Sequence, residues 1–317
     1  MTTLTREQWE RKETADWWSA AQARRRQIYG AATEMMLDVA AVQPGSRVLD
    51  VAAGTGEQTL MAARRVGPTG YVVATDHSSS MLNVAAEAAR KEGLKNVETR
   101  VMNAENLELD VDSFDAVICR QALMLFPNPA KGLTEMRRVM KPEGKVAVIV
   151  FSALEKNPYQ GIVFAIVQRL GNIPPPSPGE PWMFALGDPG ALEDLYRRTG
   201  FLNVSVHTIP IQRRFPSAAD AIRRIRRCRL SSAGRDAGLD CEPSKIRPLS
   251  PPAARVRAGQ QMARWAQKAA DGSGGRNTRG LIQRRGFLPA VWPEGSTTPC
   301  AHEGAGSVVA SSCRRRG

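Results

Sequence analysis

The sequence predicts an α/β fold, a doubly wound and mostly parallel sheet whose last strand is in doubt. Short strand-like runs at 48–51, 71–76, 97–102, 114–119 and 146–151 alternate with stretches of helical periodicity, the pattern of β-α-β crossovers. The run 146–151 is apolar at every position, as a strand covered by helices on both faces must be. After Ile225 the periodicity fades and Arg, Ser, Gly, Pro and Ala dominate, which puts the end of the sheet in doubt.

Residues 5–41 read as a helical lead-in that carries Trp9, Trp17, Trp18 and Tyr29. The strand at 48–51 runs into a turn holding Gly54 and Gly56, then a helix, then the strand at 71–76. Met81, Val84, Ala85 and Ala88 recur at helical spacing, and Gly93 is placed to close that helix. Further on, Asn128 suits an N-cap, Pro129 the first helical position, and Leu133, Met136 and Met140 the buried face. That helix should end before Pro142, with the Pro-Glu-Gly turn launching the fifth strand. The region 153–186 combines a helical stretch at 159–170 with Pro174-Pro175-Pro176. Its place after the fifth strand suits a lid, since loops at that face carry substrate choice, and its prolines suit a linker. His207 falls on a sixth strand and His302 in the tail.

Chemistry concentrates in Val48-Leu49-Asp50-Val51-Ala52-Ala53-Gly54-Thr55-Gly56 and in Tyr71-Val72-Val73-Ala74-Thr75-Asp76. In an open α/β sheet, ligands sit at the carboxyl ends of the strands, and glycines there let the backbone come close to them. A carboxylate ending the next strand, Asp76, can take both hydroxyls of a ribose, so a nucleoside-containing cofactor is expected. A dinucleotide fingerprint would need a third glycine where Thr59 stands, and Asp50 would repel a pyrophosphate. Asp50 suits an ammonium group instead.

These residues resemble motif I of the class I S-adenosylmethionine (SAM) methyltransferases, D-x-G-x-G-x-G, with Ala52 in place of the first glycine. An alanine there predicts a negative φ. The resemblance narrows to the UbiE-like (methyltransferase type 11) group in Asn103-Ala104-Glu105, where that group carries D-A-E near the adenine, and in Ser113-Phe114-Asp115-Ala116-Val117. It extends through the loop from Arg120 to Pro127 and the run from Glu135 to Lys145, covering roughly 40–215. It implies a Rossmann-like methyltransferase fold that closes with two more helices and a strand inserted antiparallel near the end. It implies SAM as cofactor, with Asp50 at the methionine ammonium, Asp76 at the ribose, and Ala52, Gly54 and Gly56 giving close backbone approach. Asn103, through its amide oxygen, and Ala104 would border the adenine, with Arg120 at the mouth of the fourth strand. His77, beside Asp76, is a weak catalytic candidate. The domains expected are an N-terminal helical cap (1–41), a SAM-binding domain (42–225) with a lid around 153–186, and a basic tail (226–317).

The chain has 317 residues, and its net charge of +13 is uneven: residues 1–212 hold 23 basic and 24 acidic groups, the remainder 21 and 7. Three readings of the tail stand: a disordered extension that binds RNA or anionic surfaces, a substrate-binding appendage, or a non-native stretch such as a shifted reading frame would yield. The five cysteines lack metal-ligand spacing, which argues against a zinc site or disulfide scaffold. The polar N-terminus offers no signal-peptide core, and no run approaches the ~20 apolar residues of a membrane span. A cytoplasmic protein is expected.

The resemblance implies methyl transfer to oxygen or carbon of a small acceptor, aromatic or quinol-like, with no metal needed. Alternatives are an RNA methyltransferase using the basic tail, a cofactor-binding but impaired chain, and a nicotinamide oxidoreductase. Asn157-Pro158-Tyr159 resembles the N-P-P-Y motif of amino-methylating nucleic-acid enzymes but follows the fifth strand rather than the fourth, and reads as a turn.

Overall fold

A computed structural model describes residues 5–161, most of 174–220, two positions between them (Phe164 and Gln168) and the strand 300–314. The chain divides into Met1–Leu239 with Pro299–Gly317, and Asp240–Thr298; the second unit lies wholly outside the described residues. So does most of the tail, and with it the choice among its three readings.

The N-terminal lead-in is three helices, α1 (Arg6–Glu10), α2 (Lys12–Ala20) and α3 (Gln22–Val39). A break at Arg11, whose ψ of 132° is extended, separates the first two. Thr5 and Gln8 form a reciprocal capping box on α1. The core follows as β1 (Arg47–Val51), α4 (Glu57–Val66), β2 (Tyr71–Asp76), α5 (Ser79–Lys91), β3 (Val97–Val101), β4 (Phe114–Arg120), α6 (Pro129–Val139) and β5 (Met140–Phe151). Then come α7 (Pro189–Arg198), β6 (Leu202–Phe215) and β7 (Cys300–Arg314). Caps fall where side-chain chemistry puts them: Ser78 accepts from Met81 N, Asn128 from Lys131 N, and Asp188 from Ala191 N, the last two ahead of a proline.

The strand order is β3-β2-β1-β4-β5-β7-β6, with β1 to β5 parallel. Successive residues 48–51, 116–120 and 146–151 are all buried. Because neighbours on a strand point to opposite faces, burial at every position means both faces are covered. Helices α3, α4 and α5 pack in a row, and α6 packs on α7. The chain leaves β1 towards β2 and β3, then crosses back to β4. The crevice between the ends of β1 and β4 is therefore the switch point where such sheets bind ligands.

Two expectations are corrected. The fifth strand opens at Met140, not after the Pro-Glu-Gly turn, with a register shift against β4 between Phe114 and Ala116 that absorbs the extra residues. Gly144 sits in that irregular stretch, and a Cβ there would lie 2.9 Å from Asp115 O. The second correction concerns the tail, which does not stand wholly outside the sheet. β7 inserts antiparallel between β5 and β6, with Val150 opposite Val309 on one side and Thr208 opposite Val309 on the other. Without it the facing edges of β5 and β6 would leave two rows of backbone donors and acceptors unpaired. In the sequence Ser307-Val308-Val309-Ala310-Ser311 is the tail's one strand candidate, and a faint one, because Gly, Ala and Ser are so frequent through 304–312.

Among the described residues no helix is long and apolar enough to cross a membrane.

Candidate active site

A cavity of about 910 Å³ opens at the switch point, with walls from the ends of β1, β2 and β4 and from α1 to α3. The turn after β1 makes its inner corner. Ala52 has φ 55°, Gly54 φ 58° and Gly56 φ 79°. The expectation of a negative φ at Ala52 is thus overturned. An L-residue in the left-handed region costs about 1–2 kcal/mol, and the turn is held there from several sides. Ala53 N donates to Thr75 O, Gln58 Nε2 donates to Ala53 O, and Gly54 N donates to Asp76 Oδ2 at 2.9 Å. Gly54 faces open space in the cavity wall. Gly56 does not reach the wall: a Cβ on it would lie 2.6 Å from Ala85 Cβ, so this glycine lets α4 close on α5.

Asp76 ends β2 with its carboxylate on the cavity and 7% exposed. Its Oδ1 accepts from Ser78 N and its Oδ2 from Gly54 N, both at 2.9 Å. Burial raises its pKa, and the two backbone donors offset only part of that. His77 also lines the cavity, with Nδ1 3.6 Å from Asp76 Oδ1 and its ring edge-on to Trp9.

Asp50 does not line the cavity. It is fully buried behind the turn, where Thr59 Oγ1 donates to Oδ2 at 2.5 Å and Gln58 Nε2 to Oδ1 at 3.2 Å. Burial pushes its pKa up to about 7 against the pull of those two bonds and of Arg120. The structure thus places Asp50, expected at an ammonium, against the first turn of α4 and apart from the cavity wall.

The carboxylate that does reach the cavity beyond Asp76 is Glu57, which follows Gly56 directly. Only 1% exposed, it accepts at Oε1 from Arg120 Nη1 at 2.8 Å, and its Oε2 lies 3.6 Å from Arg25 Nε without a hydrogen bond. Arg120 Nη1 also donates to Thr33 Oγ1. Arg25 donates to Trp18 O and to Thr55 Oγ1, and its guanidinium lies 4.7 Å from the Trp18 ring centroid. Burial pulls the Arg25 pKa down to about 10, with Glu57 opposing the shift. Two guanidiniums thus face one carboxylate, all nearly out of water.

The opposite side of the cavity is apolar. Trp9 and Trp18 meet at 5.8 Å between ring centroids, and Leu125, Phe126 and Pro127 come from the loop after β4. Pro174, Pro176 and Pro181 also line it. Helix α1 is latched down at its end. Ser78 Oγ donates to Trp9 O, Ser80 Oγ to Glu10 O, and Ser79 N and Oγ both donate to the Glu10 carboxylate. Those donors hold the Glu10 pKa low.

Of the residues singled out in the sequence, Ala52, Gly54, Asp76, His77, Asn103, Ala104 and Arg120 come together on the wall; Asp50 and Gly56 stand behind it. Asn103 Oδ1 accepts from Glu105 N, which closes its own turn and leaves the second lone pair of that oxygen for a ligand. Asn157 donates to Ser152 O and Ala153 O, but Pro158 and Tyr159 are helical and Gly161 N donates to Asn157 O, so the turn reading is corrected: the tripeptide opens a helix. Sequence reasoning missed Glu57, Arg25 and Gln121. Only Glu57 carried a signal, as an acid in the first turn of the helix after the glycines. Gln121 has φ 57° at the end of β4 and a buried Nε2 without a partner.

Residues 43–170 match a family described as a methyltransferase domain. The ubiquinone/menaquinone biosynthesis C-methyltransferase UbiE of Erwinia tasmaniensis is 33% identical over 183 residues, 55% of this chain and 73% of that protein. Its counterpart from Bordetella parapertussis is 42% identical over 117 residues, 37% of this chain and 45% of that one, so the chain spans less than half of this second relative. Among solved structures, phosphoethanolamine N-methyltransferase 2 of Haemonchus contortus, in complex with S-adenosyl-L-methionine, aligns with a TM-score of 0.53 at 17% identity. That alignment takes in 99% of this chain and 61% of the other, and shows the fold alone. The chain belongs to the class I SAM-dependent methyltransferases, in the UbiE-like group.

Proposed function

We propose that the chain transfers the methyl group of SAM to oxygen or carbon of a small, flat, apolar acceptor, a quinol or phenol ring. The observation that carries this is the two-sided cavity: buried charges and open backbone on one wall, indole, phenyl and proline surface on the other. The residues present fit the cofactor. Gly54 faces open space, Asp76 offers a carboxylate already oriented by two backbone donors, and Glu57 presents an unbonded buried oxygen.

When bound, SAM supplies an electrophilic methyl on a sulfonium. Asp76 would hold the ribose hydroxyls, and His77 and Ala104 would border the adenine. The acceptor would lie against Trp9, Trp18 and Phe126. Because charge is neutralised as the methyl moves, these residues would act by orienting the acceptor and excluding water. A quinol is the favoured acceptor because the curated relatives are named for ubiquinone and menaquinone biosynthesis.

The first test is calorimetric titration of the full-length protein with S-adenosylhomocysteine, followed by transfer of radiolabelled methyl from SAM to a panel of demethylated quinols, catechols and RNA. Labelled quinol or catechol supports the reading. Label on RNA that falls steeply with added salt would replace it with the alternative that uses the basic tail.

A further inference from the structure

We infer that this chain reads the amino-acid end of its cofactor with Glu57 for the ammonium and Arg25 and Arg120 for the carboxylate, in place of Asp50. The inference rests on SAM being the ligand, as proposed above.

Asp50 cannot serve without rearrangement. It accepts from Thr59 and from Gln58, of which Gln58 lines the cavity, and it contributes no atom to the wall itself. Glu57, seven residues further on, is nearly as buried but does face the cavity. A buried carboxylate oxygen without a hydrogen bond is costly, and Glu57 Oε2 is one. Its nearest cation, Arg25 Nε at 3.6 Å, is beyond a good charge-assisted bond. A primary ammonium donating to Oε2 would satisfy it.

Charge balance points the same way. Arg25 and Arg120 bring two positive charges against the one negative charge of Glu57, and each sits at about a tenth exposure or less. Within that set of three one positive charge is left over, where water barely reaches; Asp76 stands elsewhere on the wall and Asp50 behind it. A carboxylate there would be matched to it, and guanidinium is the side chain best shaped to bind one. An acid flanked by two bases thus complements a zwitterion, with its ammonium and carboxylate on adjacent groups. Three separated parts of the chain make the set: α3 gives Arg25, the start of α4 gives Glu57 and the end of β4 gives Arg120.

The test uses two ligands that share the adenosine thioether and differ in the amino-acid end: S-adenosylhomocysteine has it and 5′-methylthioadenosine lacks it. Each is titrated calorimetrically into the full-length wild type and the Glu57→Gln and Arg25→Lys variants. In the wild type, S-adenosylhomocysteine should bind more tightly than 5′-methylthioadenosine. Each variant should then lose about 10- to 100-fold for S-adenosylhomocysteine and under about 2-fold for 5′-methylthioadenosine. The ratio of the two affinities is the readout, because partial unfolding lowers both alike and leaves it unchanged. An unchanged ratio in both variants would overturn the inference while leaving the cofactor reading intact. Binding of neither ligand by folded wild type would overturn both.

Discussion

The two walls of the cavity are built in different ways. The charged wall rests on strand ends: Asp76 closes β2, Arg120 closes β4, and the Ala52–Gly56 turn follows β1 directly. Each group is fixed by backbone donors or by a buried partner. The apolar wall comes from α1, α2, the loop after β4 and Pro174, Pro176 and Pro181, none of which belongs to the sheet. It is held to the charged side by a few contacts, chief among them the Glu10 latch on the serines at the start of α5. A preorganised wall suits a cofactor common to a whole family. A wall made of separate pieces can be altered without disturbing the sheet, and so suits an acceptor that differs from member to member.

The largest effect expected is at the charged wall. Asp76→Ala should weaken S-adenosylhomocysteine by at least about 100-fold in calorimetry, since it removes a charged acceptor and frees the Gly54 and Ser78 N–H groups. A loss of only a few fold would mean that the charged wall is not what holds the cofactor.

The same wall should make the fold sensitive to pH. Burial raises the Asp50 pKa from an ordinary carboxylate value to about 7, so between about pH 4 and 7 the folded state holds a proton that the unfolded state has lost. Stability should therefore fall as pH rises through that window, by up to about 1.4 kcal/mol per unit. Urea midpoints from pH 5 to 8 would show the slope in the wild type and a flatter one in Asp50→Asn. Equal slopes would mean that another group titrates there.

A smaller effect is expected at the apolar wall. Glu10→Ala removes the latch, and stopped-flow displacement should show S-adenosylhomocysteine leaving about 2- to 5-fold faster at nearly unchanged melting temperature. An unaltered rate would mean that α1 does not gate the cavity. The smallest is at Ala52, where Ala52→Gly should raise stability by about 0.5 kcal/mol by urea denaturation, relief of the positive φ exceeding the entropy a glycine adds. Destabilisation would indicate that the turn gains more from the alanine methyl than it loses to strain.

Much of this was legible in the chain. The parallel core, the caps at Asn128 and Pro129, the Gly93 stop and the place of Asp76 all follow from patterns a few residues long. Local patterns were less informative where partners come from afar. Asp50 looked like a ligand because strand and turn place it near the site, but whether Thr59 and Gln58 cover it depends on how α4 sits on β1. Arg25 carried no mark at all, since one arginine among three on a helix is ordinary until the fold brings it to Glu57.

What the sequence determined by itself is the fold class, the family and the strand ends that line the cavity, because hydrophobic period, glycine turns and capping residues act over a few neighbouring positions. Only the tertiary structure decided which carboxylate faces the cavity, that α1 is pinned over it, and that 300–314 inserts into the sheet. Those outcomes depend on burial and on pairing between segments up to about 170 residues apart, as between β5 and β7, and local sequence encodes neither.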